Sequence, residues 1–159
     1  MKHVVLARCL KGIEIFIVLI GVLFYAVMVP AIILNFGRSF PKFGYLVTPS
    51  IVIISLSAIP VLIVLAAFWM ICSNIAKGNS FCMMNAKYLT AIGICSIIDS
   101  VYCFAFAVYL GSIGASSPGT LIISLGITVI GLAIAVAAFL LSHLVYKAAL
   151  MEDEIKHTV

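Results

Sequence analysis

The residue best suited to chemistry is an aspartate inside a long apolar run. Asp99 lies midway along the apolar segment 88–111, and a carboxylate at the centre of a bilayer costs about 3 kcal/mol unless it is buried, paired or protonated. We therefore expect its side chain to face other helices. Ser96 and Cys103 lie three and four residues away on the same side of a helix. Hydroxyls that can reach it from other segments are those of Ser55, Ser57, Ser124 and Thr128.

This intramembrane polar site, Asp99 with Ser96 and Cys103, has two interpretations. One is a proton, cation or ligand site, because ionisable residues inside membranes often mark transport pathways. The other is a neutral or hydrogen-bonded aspartate that fixes how the helices pair. No basic residue lies at the same depth in any apolar segment, so the sequence leaves both interpretations open.

The other reactive residue types form no catalytic or metal-binding pattern. The five cysteines include no C-x-x-C pair, so free thiols are expected in place of disulfides or zinc ligands. No Ser/His/Asp set or phosphate-binding glycine loop can be assembled. We expect no enzymatic activity, no cofactor and no metal site. Glu14 follows Lys11 by three residues, and an interfacial ion pair is expected.

Composition indicates that lipid surrounds most of the chain. Of its 159 residues, 65% are hydrophobic and 9% are charged, whereas soluble domains contain about 25% charged residues. The formal charge of +4 is spread over short connections without interleaved aromatic residues. Direct binding of nucleic acid is therefore not expected.

Four apolar stretches, 13–34, 46–72, 88–111 and 119–146, are long enough to cross the membrane as helices. At about 1.5 Å per residue, each spans roughly 30 Å of hydrocarbon. They lack the alternation of barrel strands. The sequence predicts an all-α integral membrane four-helix bundle that forms a single domain over residues 1–159.

Local sequence signals predict several helix boundaries. Thr48-Pro49 and Ser117-Pro118 each place a hydroxyl residue at the N-cap and a proline at the first helical position. These pairs are expected to open the second and fourth spans.

Between the second and third spans, Gly78 is expected to end one helix and Ser80 to cap the next. Pro60 falls within the second span, where it should kink the helix. Gly131 and Ala135 form a small-xxx-small step that allows close helix approach in the fourth span.

The distribution of basic residues predicts the orientation. If the N-terminus is cytosolic, seven of the nine basic residues lie inside and two, Arg38 and Lys42, lie outside. We expect a multi-pass protein of the bacterial cytoplasmic membrane with both termini in the cytosol. The inner residues are Lys2, Arg8, Lys11, Lys77, Lys87, Lys147 and Lys156.

The cytosolic tail, 147–159, has a helical pattern. Apolar residues recur at spacings of four, three and four, which predicts that the fourth helix continues with an apolar seam. The tail is either a solvated helix end or a docking surface for a cytosolic partner. The seam comprises Leu144, Ala148, Met151 and Ile155, and its acidic neighbours are Glu152, Asp153 and Glu154.

The inner loop and the tail resemble a known family. The spacing Gly78, Phe81, Asn85, followed by Tyr88-Leu89-Thr90-Ala91-Ile92-Gly93, is similar to the G-x-x-F-x-x-x-N element of the bacterial four-helix membrane proteins called domain of unknown function family 2975. Ala149 to Glu154 and Thr158-Val159 resemble the family's C-terminal segment, although Ile155-Lys156-His157 departs from it. The resemblance implies a small membrane protein often encoded beside a helix-turn-helix regulator.

These features lead us to expect a non-enzymatic membrane protein that is the regulatory partner of a cytosolic helix-turn-helix transcription regulator. Its role would be to tether and sequester the regulator, or to sense a signal for it. The alternatives are a small oligomeric transporter or channel that uses Asp99, and a bacteriocin-immunity or structural membrane protein. The expected partners are the lipid bilayer, the regulator and further copies of the chain. The docking residues would be Met151, Glu152, Asp153, Glu154 and Ile155 in the tail.

Overall fold

The computed structural model describes residues 2–39, 41–116 and 118–157, with side chains for all of these except 2–7, 32, 36, 39, 120 and 153–157. The described residues form helices and no strand, as the sequence predicts. The helices are α1 (Lys2–Leu23), α2 (Val29–Ser39), α3 (Val47–Leu56), α4 (Ala58–Ala76), α5 (Met83–Ser112) and α6 (Pro118–His157).

Short turns join some of these helices into longer ones. A π turn at Phe24–Met28 links α1 to α2, and a 3-10 helix at Pro41–Leu46 precedes α3. Four helical stretches are long and apolar enough to cross a membrane, so the protein is a multi-pass membrane protein, as the sequence predicts. They are Arg8–Asn35, Pro41–Ala76, Met83–Ser112 and Leu121–Glu152.

The helical stretches extend beyond the predicted apolar segments at several ends. The second begins at Pro41, five residues before the predicted segment 46–72, and the third begins at Met83, five residues before the predicted segment 88–111. Apolar composition marks the part of a helix that lies in lipid, and a helix can continue past it.

The spans run antiparallel and pack in chain order, α1 on α4, α4 on α5 and α5 on α6. Asn74, late in α4, bonds to Asn85, near the start of α5. Tyr102, later in α5, donates from its hydroxyl to the carbonyl of Ile53, which precedes α4 in the chain. We call the end of the molecule that holds residues 77–82 the loop end. The N-terminal half of α1 and the C-terminal half of α6 also lie at the loop end, because Lys11 contacts Trp69 and Ser142 contacts Thr90.

Two alanines and an isoleucine form the core between the last three spans. Ala67, Ile92 and Ala138 pack together, one from each of α4, α5 and α6. Most large apolar side chains in the described spans are exposed, which is expected when lipid is the solvent and van der Waals packing joins the helices.

The second span is interrupted close to Pro60, where a kink is predicted. The interruption is at Ser57, between α3 and α4, and proline cannot donate to the carbonyl of Leu56. The first span is also interrupted, at the π turn that precedes Pro30, where Val29 donates to the carbonyl of Phe24. The missing N–H of Pro30 accounts for this wider turn, which the sequence analysis missed.

The predicted N-cap at Thr48 is wrong. The helix begins at Val47, and the cap position is Leu46, whose backbone is already helical because it ends the 3-10 helix. Pro49 lies in the first turn of α3, where a missing N–H is tolerated. Pro118 begins α6 as predicted, while Ser117 lies outside the described residues.

At the loop between α4 and α5, α4 ends as predicted, but α5 does not begin as predicted. Gly78 has a φ of 83°, and the N–H of Asn79 bonds to the carbonyl of Asn74, so the glycine takes the left-handed position after the helix. Ser80 does not cap α5, because that helix begins at Met83 and Cys82 takes the cap position without a side-chain bond.

Candidate functional site

Asp99 is partly buried on α5, and one of its oxygens is fully shielded. Oδ1 has no hydrogen-bond partner among the described residues. Cys103 lies within electrostatic reach of this carboxyl group, as its spacing predicts. The backbone carbonyl of Ser96 accepts a hydrogen bond from the Ser100 hydroxyl on the same helix at 2.8 Å.

The hydroxyls expected to approach Asp99 from other spans bond elsewhere. Ser57 bonds to Tyr25 and to the carbonyl of Ile54. Ser124 and Thr128 each bond to a carbonyl of their own helix. Among the described residues, Asp99 and Cys103 therefore lie close enough to interact electrostatically, and no hydroxyl bonds to Oδ1 of Asp99.

Asp99 lies close to the level at which two spans are interrupted. Because Tyr102 of α5 meets Ile53 and Asn85 meets Asn74, Asp99 lies between these contacts, level with the break at Ser57. There the hydroxyls of Tyr25 and Ser57 are 3.0 Å apart and join the π turn of the first span to the break in the second. The Asp99 carboxyl group and the two helix interruptions therefore lie at about the same level along the spans.

The predicted close approach at Gly131 is present. A side chain at Gly131 would collide with Ser100 of α5, and Ala135 is buried. The small-xxx-small step therefore lets α5 and α6 pack closely beside the aspartate.

At the loop end, the side chain of Asn85 forms the hydrogen bonds that hold the loop 77–82. It is 2% exposed, and its Oδ1 accepts a bond from Asn74 Nδ2 at 2.7 Å. Its Nδ2 donates to the carbonyls of Asn79 and Ser80 at 3.2 and 3.0 Å. The buried amide of Asn85 therefore brackets the loop by joining α4 to two loop carbonyls.

This bracketed loop presents apolar side chains outward. Phe81 is 57% exposed and Met84, in the first turn of α5, is 51% exposed. The chain reverses within 77–82, between Gly78 and the cap at Cys82. Phe81 consequently projects from the turn instead of filling the contact between α4 and α5. We call Phe81 and Met84 the loop patch.

A buried carboxylate lies between α1 and α4 at the same end. Glu14 is 3% exposed, and its Oε2 has no hydrogen-bond partner among the described residues. The Lys11 ammonium lies 4.6 Å from the centroid of the Trp69 ring. The charge of Lys11 still acts on the Glu14 carboxyl group, but the Lys11 ammonium forms no hydrogen bond to Oε2.

The fourth helix continues beyond the apolar segment, as the tail pattern predicts. α6 extends to His157 without a break. On the seam, Leu144 is exposed, Ala148 is partly buried and Met151 is 58% exposed. Glu152 is also exposed. The side chains of Asp153, Glu154 and Ile155 lie outside the described residues, so the structure gives only their helical backbone.

Comparison with known proteins gives one match. The model of a family described as protein of unknown function, DUF2975, matches residues 32–159. The comparison with curated proteins found no match, and neither did the comparison with solved structures.

Proposed function

The chain belongs to the DUF2975 family, and we propose that it is a non-enzymatic regulatory membrane protein whose loop end binds a cytosolic helix-turn-helix transcription regulator. Binding would hold the regulator at the membrane, and release would return it to DNA. In this proposal the loop end faces the cytosol, in agreement with the excess of basic residues there.

The observation that carries the proposal is the loop patch on its bracketed loop. An exposed aromatic ring and a methionine at the end of a span are side-chain types enriched at protein interfaces. Asn85 and Gly78 fix the backbone that presents them. A fixed surface loses little conformational entropy on binding, so more of the contact energy remains as affinity.

The tail supplies a second, charged contact. α6 runs to His157 at the loop end and exposes Met151 beside Glu152. A DNA-binding regulator has a basic surface for phosphates, and the acidic sequence 152–154 complements that charge. A tail that covers the basic surface would compete with DNA, which gives a physical mechanism for sequestration.

Co-purification tests this function. We would compare recovery of the helix-turn-helix regulator encoded beside the chain by four forms: full length, a truncation from Met151 onward, Phe81→Ser, and Tyr45→Ser. Tyr45 is the matched control, because it is 70% exposed at the opposite end. The truncation leaves every apolar segment of the sequence analysis complete.

The proposal predicts that full length and Tyr45→Ser recover the regulator equally, while the truncation and Phe81→Ser lose most of it. Equal recovery by all four forms, or recovery by none, would contradict docking at the loop end.

A second candidate, a small oligomeric transporter, is favoured by the unpartnered Oδ1 of Asp99. A buried oxygen with no donor is suited to take up a proton or cation. In vesicles with a proton gradient, transport of a cationic dye would be abolished by Asp99→Asn and retained by Ser124→Ala. Absence of gradient-dependent transport by the unmodified protein would rule this candidate out.

A further inference from the structure

A cleft between α5 and α6 opens at the loop end. Its volume is about 310 Å³, and it is open to the surroundings of the protein. Its walls come from about two turns of α5 and about two turns of α6. The lining residues are Met83, Ala86, Lys87, Thr90, Phe139, Ser142, His143 and Tyr146.

The polar half of the cleft is suited to an anion. Lys87 contributes an ammonium, His143 an imidazole and Tyr146 a hydroxyl, and all three side chains are exposed. None of the eight lining residues is acidic. Each of the three groups donates hydrogen bonds, and the ammonium adds a full positive charge.

The inner wall of the cleft is already hydrogen-bonded and holds its shape. The hydroxyls of Thr90 and Ser142 lie 2.8 Å apart. Both also donate to the carbonyl of Ala86, at 3.1 and 2.7 Å. These bonds tie α5 to α6 across the base of the cleft, so a ligand meets a preformed site and the free donors are those of the rim.

The apolar half of the cleft continues toward the lipid. Phe139 lines it, and the side chain of Leu140, next along α6, is exposed. The cleft lies where the third span begins, and Tyr146 is of the type that anchors helices at the boundary of hydrocarbon and headgroups. A ligand here has its charge at headgroup level and its apolar part beside the spans.

We propose that this cleft binds the phosphate headgroup of an anionic phospholipid, with the phosphodiester at Lys87, His143 and Tyr146 and an acyl chain along Phe139. Basic pockets between membrane helices are known to hold such headgroups. A zwitterionic lipid fits less well, because its terminal ammonium would lie near the ammonium of Lys87, which has the same charge. The site is separate from the loop patch and does not depend on the regulator proposal.

Titration of the purified full-length protein in micelles with fluorescent phosphatidylglycerol or phosphatidylcholine tests the site. The unmodified protein should bind phosphatidylglycerol more tightly. Lys87→Gln should weaken that binding about fivefold, the effect of one basic residue near an anionic headgroup, and adding His143→Gln should weaken it further. Lys77→Gln is the matched control, because Lys77 is an exposed loop lysine outside the cleft.

Three results would overturn the proposal. They are equal affinity for the two lipids, equal weakening by Lys77→Gln and Lys87→Gln, and unchanged binding in the variant that lacks both Lys87 and His143. A further arm adds inorganic phosphate at millimolar concentration. Full displacement of the lipid by free phosphate would identify a phosphate site instead, and little displacement would support a site that holds headgroup and chain together.

Discussion

The hydroxyl oxygens of Tyr25 and Ser57 lie 3.0 Å apart, and each residue belongs to an interruption of its own span. Tyr25 lies in the π turn Phe24–Met28, and Ser57 separates α3 from α4. Helix interruptions in membranes expose backbone groups that must bond nearby. The pair therefore joins two weakened points of the fold.

Removing this bond should destabilise the contact between the first two spans modestly. Tyr25→Phe and Ser57→Ala should each lower the free energy of unfolding by about 0.6 kcal/mol, the average for hydrogen bonds between membrane helices. Because they share one bond, the double variant should lose less than the sum. Steric-trapping measurements in bicelles give the three values, and Ser124→Ala, whose hydroxyl bonds within α6, is the control. Strict additivity would show that the two hydroxyls do not interact.

The glycine at position 131 should be sensitive to enlargement. A Cβ at Gly131 would overlap Ser100, whereas a Cβ at Gly126 would meet nothing within 4 Å. Gly131→Ala should therefore destabilise the α5–α6 contact by about 1–3 kcal/mol, as overpacking does. Gly126→Ala should be neutral or slightly stabilising. Adding Ser100→Ala to Gly131→Ala should recover part of the loss, and failure to recover any would show that another contact sets the limit.

Asn85 should determine the order of the loop. Asn85→Ala removes the acceptor for Asn74 and both donors to residues 79 and 80, and unsatisfied buried groups cost about 1–3 kcal/mol. Limited proteolysis within 77–82 should accelerate in this variant. Asn79→Ala is the control, because Asn79 participates through its carbonyl, which the substitution retains. Equal cleavage rates in the two variants would contradict the bracketing role.

Much of the fold could be predicted because its signals are local. Four long apolar runs, a proline inside the second span and a glycine after it determine the spans, the break near Ser57 and the turn at Gly78. These features depend on the solvent and on the backbone of a few consecutive residues. The Thr48 cap failed for a related reason, since the helical turn before it is not visible as an apolar run.

The candidate site was harder to predict because it depends on which helix faces meet. Asp99 and the signature asparagine stand out by residue type, but Tyr25 finds Ser57 across 32 residues. The burial of Glu14 has the same origin, as α4 covers the start of the first span. Neither contact leaves a periodic pattern in the sequence. Only the packed arrangement of the spans identifies them.

The orientation should place the loop end in the cytosol, because seven of the nine basic residues belong to that side. Alkaline phosphatase fused after residue 159 should be inactive, and the same enzyme inserted near Lys42 should be active. Green fluorescent protein at the C-terminus should fluoresce. Active phosphatase at the C-terminus would reverse the orientation.

The central claim is the proposal that the loop end binds a cytosolic helix-turn-helix regulator, and photo-crosslinking in living cells tests it most directly. A photoreactive amino acid would replace Phe81 or Met151 at the loop end, or Tyr45 at the opposite end, and adducts would be detected with an antibody to that regulator. The account predicts adducts from positions 81 and 151 that disappear when the tail acidic residues Glu152, Asp153 and Glu154 are replaced by glutamine or asparagine, with none from position 45. Absence of regulator adducts at both loop-end positions, or equal adducts from position 45, would contradict it.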